Sequence, residues 1–155
     1  MSKRKLVSTI ALPLIGGSIA GYLSTKSARK KYERLDTPRF SPPGWVFPVV
    51  WTSLYTMMGT AKYQFDQVPK SPILQKRGSL AYQTQLSLNY LWSFLFFKWN
   101  VRGAAFVEAS LLWSAVIVST SYFYQQSKLA GSLMVPYILW VSFALVLNYK
   151  TWQMN

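Results

Sequence analysis

Five long stretches of this chain carry almost no charge. Glu108 is the one Asp, Glu, Lys or Arg residue within them, and they cover residues 6–25, 40–61, 78–97, 103–127 and 129–149. Each stretch has about the 20 residues that a helix rising about 1.5 Å per residue needs to cross a hydrocarbon core about 30 Å thick. The pattern therefore predicts an all-α membrane protein that folds as a compact bundle of five transmembrane helices.

Two other classes of protein fit this charge distribution poorly. A water-soluble helical bundle needs polar side chains about once per turn along its outer face, and the five stretches do not supply them. A nucleic-acid-binding domain would use the net charge of +13 on one folded face, whereas the basic residues here are divided among short segments. Attraction to anionic headgroups of the lipid bilayer explains the charge, so we expect no nucleic-acid partner.

The residue types that build most catalytic centres are missing. The chain has no Cys, no His and only four acidic residues, which excludes thiolate ligands and makes a zinc, haem-iron or two-carboxylate centre very hard to assemble. We therefore predict no catalytic residue, no metal site and no cofactor, and expect function to depend on a bound ligand.

Short links join the charge-poor stretches, so residues 1–155 are predicted to form a single domain. The first link, residues 26–43, is the longest and ends in Pro42 and Pro43, which favours a second helix beginning near Gly44. The N-terminal stretch also resembles a secretory signal with a cleavage site near Ala20, although it is long enough to span a membrane. The predicted spans cover about residues 6–25, 44–62, 79–97, 103–126 and 129–150.

Aromatic and amide side chains repeat at helical spacing in three of the stretches. Gln85, Asn89, Trp92 and Phe96 share one helix face, which should point into the bundle because amides avoid lipid. Two interpretations stay open: these side chains join helices through hydrogen bonds, or they line a cavity that holds a flat apolar ligand. The candidate ligand-binding residues are Trp51, Tyr55, Gln85, Asn89, Trp92, Tyr137, Trp140, Phe143, Ala144 and Leu147.

Two further features carry alternatives. Glu108, an acid inside a membrane stretch, is either a functional carboxylate or a structural residue, which lies at the membrane interface or pairs with Arg102 or Lys98. The small-residue spacing of Gly17 and Gly21 allows another helix to approach closely, in the bundle or in a homodimer.

Three motifs resemble the translocator protein family, whose members are also called tryptophan-rich sensory proteins or peripheral-type benzodiazepine receptors. They are YERLDTPRFSPPGWVFPVVWTSLYTMMG at 32–59, LNYLWSFLFF at 88–97 and LMVPYILWVSFALVLNYKTWQMN at 133–155. Their order and extent make the resemblance specific.

The resemblance implies a five-helix bundle that binds tetrapyrroles such as protoporphyrin IX and haem, sterols, and isoquinoline carboxamide or benzodiazepine-type drugs. By matching positions, the pocket opens toward the first link, which becomes a candidate lid, and involves Trp51, Asn89, Trp92, Trp140, Phe143, Ala144 and Leu147. The sterol motif departs from the family pattern, because Lys150 follows Tyr149 directly and Gln153 stands where sterol-binding relatives have Arg. The membrane would be the mitochondrial outer membrane or an endomembrane in a eukaryote and the cell envelope in a bacterium.

The leading hypothesis is a binding, transport or sensory protein for tetrapyrroles, with the ring plane stacked on Trp51 and Trp140 and Asn89 anchoring a polar edge. Basic residues of the first link would attract the propionates. The alternatives are a light- and oxygen-dependent porphyrin-degrading enzyme that uses the same two Trp residues, and a scaffold that acts through helix contacts at Gly17 and Gly21.

Overall fold

The computed structural model describes residues 2–26, 30 and 33–155, and this part of the chain contains helices and no strand. A π-helical turn, Phe94–Lys98, follows the third of five long helices. These helices are α1 (Lys3–Thr25), α2 (Val46–Gln67), α3 (Pro72–Ser93), α4 (Arg102–Gln126) and α5 (Lys128–Met154). The all-α prediction is confirmed.

The helices form a closed ring whose order differs from their order in the chain. Helix α1 packs on α2, α2 on α5, α5 on α4, α4 on α3, and α3 returns to α1. The short links after α2, α3 and α4 make successive helices antiparallel. As a result, the C-terminal ends of α1, α3 and α5 meet the N-terminal ends of α2 and α4 at one end of the bundle, next to the first link.

The second link is shorter than the charge pattern predicts. The predicted spans end at 62 and resume at 79, whereas α2 continues to Gln67 and α3 begins at Pro72. Lys62 and Asp66 form a 2.6 Å ion pair on the last turns of α2, and the Ser71 hydroxyl caps α3 by accepting from the backbone N–H of Leu74. Charged turns of a helix extend past the apolar window, so absence of charge underestimates helix length.

Helix α2 begins close to the predicted residue. Its first residue is Val46, two positions after Gly44, because the backbone N–H of Val46 donates to the carbonyl of Pro43 in a turn that precedes the helix. The residues from Pro42 to Trp45 therefore precede the helix and belong to the link.

Amide side chains are buried inside this bundle, and large apolar side chains lie on its outer surface. Gln85 is fully buried and Asn89 is 2% exposed, whereas Leu12 on α1 and Leu139 on α5 are each 66% exposed. An apolar outer surface with amides inside is the arrangement that a bilayer favours. Among the described residues, α1, α4 and α5 are both long and apolar enough to cross a membrane.

Gly17 allows one close contact within the chain. A Cβ atom there would overlap the ring of Tyr55 on α2, whereas a Cβ on Gly21 would meet nothing within 4 Å. The small-residue spacing on α1 thus serves the packing of α1 on α2 at Gly17, and Gly21 borders open space.

Candidate functional site

A cavity of about 900 Å³ lies at the end of the bundle next to the first link. This volume is within the range of about 300–1,000 Å³ that small-molecule pockets occupy. We call it the outer cavity. Its described lining comes from the C-terminal half of α1, the first link, the N-terminal half of α2 and the end of α3: Gly17, Ser18, Gly21, Tyr22, Ser24, Thr25, Glu33, Leu35, Thr37, Ser41, Pro42, Gly44, Trp45, Phe47, Pro48, Trp51, Thr52, Tyr55, Trp92, Ser93 and Phe97.

The lining of the outer cavity combines large aromatic rings with hydroxyl groups. Trp45, Trp51 and Trp92 present large apolar rings, and Ser and Thr side chains come from α1, the first link and α2. The Ser41 hydroxyl is buried with no hydrogen-bond partner among the described residues. Such a lining suits a ligand that is mostly apolar but carries hydrogen-bonding groups at its edge.

The first link is attached to the C-terminal end of α5. The Asn155 side chain accepts from the backbone N–H of Asp36 at 3.2 Å and donates to the backbone carbonyl of Asp36 at 2.8 Å. The Phe40 and Phe143 rings make an edge contact with centroids 6.1 Å apart. These contacts attach to α5 the described part of the link, which lines the outer cavity at Leu35, Thr37 and Ser41.

A second and much smaller cavity, the inner cavity, lies deeper between α2, α3 and α5. It holds about 10 Å³, room for about one water molecule. Its wall toward the outer cavity consists of the four side chains that line both, namely Phe47, Trp51, Trp92 and Phe97. Its remaining lining comes from Phe96, Trp140, Ala144, Leu147 and Asn148.

Trp51 is at the centre of the aromatic contacts beside both cavities. Its ring stacks on Tyr55 with centroids 5.5 Å apart and makes edge contacts with Tyr137 at 6.2 Å and Trp140 at 6.4 Å. Trp140 in turn contacts Phe143 at 5.3 Å. Edge-to-face and offset contacts of this kind fix ring orientation as well as burying apolar area.

A hydrogen-bonded chain crosses the interior behind these rings. The Tyr55 hydroxyl donates to the Asn89 side-chain carbonyl at 2.6 Å, and the Asn89 amide donates to the Tyr137 hydroxyl at 2.9 Å. Tyr137 donates to the Gln85 carbonyl at 2.8 Å, and Gln85 donates to the Met58 sulfur at 3.6 Å. The chain joins α2, α3 and α5, and each amide in it has partners within the protein.

Comparison with known proteins shows which family the chain belongs to. The model of the TspO/MBR family matches residues 9–153. The chain belongs to the TspO/MBR family. It is 37% identical over 150 residues to the tryptophan-rich protein TspO of Chlorobaculum tepidum, a match that covers 97% of this chain and 95% of the relative.

Relatives from other kinds of organism match as well. The identity to the translocator protein of Sus scrofa is 32% over 159 residues and covers 93% of this chain and 90% of the relative. The identity to protein CrtK of Rhodobacter capsulatus is 31% over 124 residues and covers 80% and 78%. This TspO/MBR family member is an integral membrane protein, as the resemblance and the apolar helices indicate.

The structure brings most of the sequence-predicted residues of this TspO/MBR chain to one region. Trp51 and Trp92 line both cavities, Tyr55 lines the outer one, and Trp140, Ala144 and Leu147 line the inner one. The predicted inward face of α3 is confirmed, since Gln85, Asn89, Trp92 and Phe96 are all buried. Gln85, Asn89, Tyr137 and Phe143 line neither cavity.

Asn89 has a different environment from the one expected for an anchor of a ligand's polar edge. Its carbonyl accepts from Tyr55 and its amide donates to Tyr137. Of the two interpretations that the sequence left open for Gln85 and Asn89, the hydrogen bonds between helices are the one present here. Trp92 is held in a comparable way, by a 3.0 Å bond from its indole N–H to the Asn148 carbonyl.

Several residues of the site had no signal in the sequence. The hydroxyl groups of Ser18, Ser24 and Thr52 lie on the cavity side of their helices, but Ser and Thr occur throughout the apolar stretches and their periodicity does not single these out. Glu33 is the one charged residue in the described lining. Arg34 and Arg39, which were expected to attract propionates, are exposed and do not line the cavity, and Arg29 and Lys31 lie outside the described residues.

Glu108 lies apart from both cavities. It is 6% exposed, and neither carboxylate oxygen has a hydrogen-bond partner among the described residues. Across the described part of the chain the one ion pair joins Lys62 and Asp66, so the expected pairing of Glu108 with Arg102 or Lys98 is not formed.

Proposed function

We propose that this protein binds a flat, largely apolar ligand of the tetrapyrrole class, such as protoporphyrin IX or haem, and acts as a binding, transport or sensory protein. The observation that carries the proposal is the outer cavity, about 900 Å³ in volume and bordered by the rings of Trp45, Trp51 and Trp92. Stacking on aromatic rings and hydrogen bonding to the hydroxyl groups of the lining require no metal, histidine or cysteine.

The proposal includes five membrane spans. Helices α2 and α3 each have 22 residues, a length of about 33 Å at about 1.5 Å per residue. They lie in the same ring as the three more apolar helices, and the amides Gln85 and Asn89 of α3 are directed inward. Charged side chains at their ends, such as Lys62 and Lys76, would lie at the headgroup level.

Ligand contact is assigned in two steps. Trp51, Tyr55 and Trp92 contact the ligand in the outer cavity, and Trp140, Ala144 and Leu147 contact it when the ring reaches the inner cavity. The other four candidates support these contacts: Gln85, Asn89 and Tyr137 fix the Tyr55 side of the wall, and Phe143 supports Phe40 of the first link. Sterols and isoquinoline carboxamide or benzodiazepine-type drugs share the apolar, edge-polar chemistry that this lining suits.

The test is a titration of the purified protein with protoporphyrin IX, followed by quenching of Trp fluorescence. We expect saturable quenching that weakens when Trp51→Phe and Trp140→Phe are combined. Trp113→Phe is the matched control, because Trp113 donates to Ser142 away from both cavities. Absence of saturable quenching, or equal quenching in the double variant, would overturn the proposal.

A second candidate is light- and oxygen-dependent porphyrin breakdown, which the 6.4 Å contact of Trp51 with Trp140 favours because neighbouring indole rings can exchange an electron. Illumination of the complex separates the two functions. A binding protein leaves the porphyrin absorption spectrum intact, whereas a degrading enzyme bleaches it over several turnovers and forms a new product.

A further inference from the structure

Asn155 directly follows the last residue of α5. Its side-chain amide holds one segment of the first link. The Asn155 carbonyl accepts from the backbone N–H of Asp36, and its NH₂ group donates both to the carbonyl of Asp36 and to the carbonyl of Thr151 at 2.7 Å. The bond to Thr151, one turn earlier on α5, fixes the orientation of the amide. Asn155 therefore presents a donor and an acceptor in a fixed direction to a single residue of the link.

The segment held in this way is part of the cavity wall. Leu35 and Thr37, on either side of Asp36, line the outer cavity, and so do Ser41 and Pro42 farther along the link. The other contact of the link with α5 described above is the edge contact of Phe40 with Phe143. Releasing Asp36 would remove the hydrogen bonds that join residues 33–40 to the helices in the described part of the chain.

We propose that Asn155 is a positioning residue that latches residues 33–43 of the first link in the wall of the outer cavity and thereby sets how fast ligands enter and leave. This proposal rests on the proposed function, since the outer cavity is taken as the ligand site. It predicts that losing the latch raises the association and dissociation rates together, with a smaller change in their ratio. A residue with only a structural role would not produce that combination.

Asn155 bonds only backbone atoms of Asp36. Variants of Asn155 should therefore break the latch, whereas a variant of the Asp36 side chain serves as a control. Asn155→Ala removes all three bonds, and Asn155→Asp keeps the acceptor for the Asp36 N–H but loses the donor to the Asp36 carbonyl. Asp36→Ala keeps both backbone atoms and should leave the latch intact. Gln153→Ala is a second control, because Gln153 lies on the same turn and donates to the Tyr149 hydroxyl.

The latch is tested first without a ligand. The chain has no Cys, so Ser24→Cys, at a fully buried position that lines the outer cavity, supplies a single thiol whose labelling by a water-soluble methanethiosulfonate reports opening. Adding Asn155→Ala or Asn155→Asp should raise the labelling rate about tenfold, the effect of losing one or two net hydrogen bonds. Hydrogen exchange of the Asp36 amide should accelerate in the same variants and not in the Gln153→Ala control.

The ligand arm uses protoporphyrin IX and stopped-flow Trp quenching. Both rate constants should rise about tenfold in Asn155→Ala and stay at the unsubstituted values in Asp36→Ala. Rates of labelling and exchange that are equal with and without Asn155 would overturn the latch. Faster exchange with unchanged labelling would overturn its control of access. If protoporphyrin IX fails to bind the unsubstituted protein, the proposed function fails, while labelling and exchange still decide whether the latch exists.

Discussion

The hydroxyl of Tyr55 donates a 2.6 Å hydrogen bond to the side-chain carbonyl of Asn89, and this bond connects the wall of the outer cavity to the interior of the bundle. Tyr55 lines the cavity and stacks on Trp51, while Asn89 lies behind it and donates to Tyr137 on α5. The orientation of the aromatic wall therefore depends on an interior amide that does not itself line the cavity.

Removing the Tyr55 hydroxyl tests this connection. Tyr55→Phe keeps the ring but leaves the Asn89 carbonyl, which is 2% exposed, without its donor. We expect the free energy of unfolding to fall by about 1–2 kcal/mol. This value lies between the small average contribution of an interhelical hydrogen bond in a membrane and the larger cost of leaving a buried acceptor unpaired. Denaturant unfolding in detergent micelles measures the loss. Tyr22→Phe, at a Tyr that is 62% exposed on α1, should be silent, and an equal loss there would contradict the explanation.

Gly17 and Gly21 make a matched pair for the packing of α1 on α2. Gly17→Ala places a Cβ against the Tyr55 ring, which cannot move easily because it is hydrogen-bonded and stacked. Overpacking of this kind costs about 1–3 kcal/mol, so the thermal midpoint should fall and protoporphyrin IX binding should weaken. Gly21→Ala has open space and should leave the thermal midpoint unchanged. If Gly21→Ala instead disrupts assembly while Gly17→Ala is silent, α1 acts as the scaffold surface that the sequence alternative described.

The sequence reveals those parts of this molecule that depend on periodicity and on charge. The burial of Asn89 follows from its helical spacing with Gln85 and Trp92, which places all three side chains on one inward face of α3. The positions of Trp51 and Trp140 near one another follow from the family motifs. Their edge contact, however, depends on the ring order that places α2 next to α5, which neither spacing nor composition specifies.

Other features escape sequence reasoning for identifiable physical reasons. Asn155 forms hydrogen bonds with backbone atoms of Asp36. Every residue has such atoms, so the sequence contains no complementary pair of side chains that would predict the contact. The additional part of α2, residues 63–67, contains Asp66, whose charge is paired with Lys62 one turn earlier. The π-helical turn Phe94–Lys98 depends on backbone hydrogen bonds such as that from the Trp99 N–H to the Phe94 carbonyl. The apolar side chains of this segment give no sequence pattern that predicts those bonds.

Glu108 provides a third prediction. Its carboxylate is buried without a partner among the described residues, and an uncompensated acid inside a bundle destabilises the folded state. Glu108→Met introduces an apolar side chain of similar length and should raise the free energy of unfolding by about 1 kcal/mol or more. The free energy of unfolding of Glu108→Gln should lie between those of the unsubstituted protein and Glu108→Met. Protoporphyrin IX affinity should stay unchanged in both. A folded Glu108→Gln protein that no longer binds the porphyrin would instead give this carboxylate a role in function.

A fourth prediction concerns Ala144, which lines the inner cavity. The inner cavity holds about 10 Å³, so a porphyrin ring can reach Trp140 only if the wall formed by Phe47, Trp51, Trp92 and Phe97 moves and the two cavities merge. Ala144→Leu would fill the space into which the ring must pass, and we expect the Kd for protoporphyrin IX to rise about tenfold, a loss of about 1.4 kcal/mol.

The matched control for Ala144→Leu is Val146→Leu, which enlarges a side chain on the same helix that is 51% exposed on the outer surface. Fluorescence titration of both variants, with the thermal midpoint measured in parallel, separates a filled pocket from a weakened fold. An unchanged Kd in a stable Ala144→Leu protein would mean that the ligand stays in the outer cavity, with Trp51 and Trp92 as its deepest contacts. A weaker Kd in that variant alone would place the ring between Trp51 and Trp140 and would make movement of the shared wall a required step of binding.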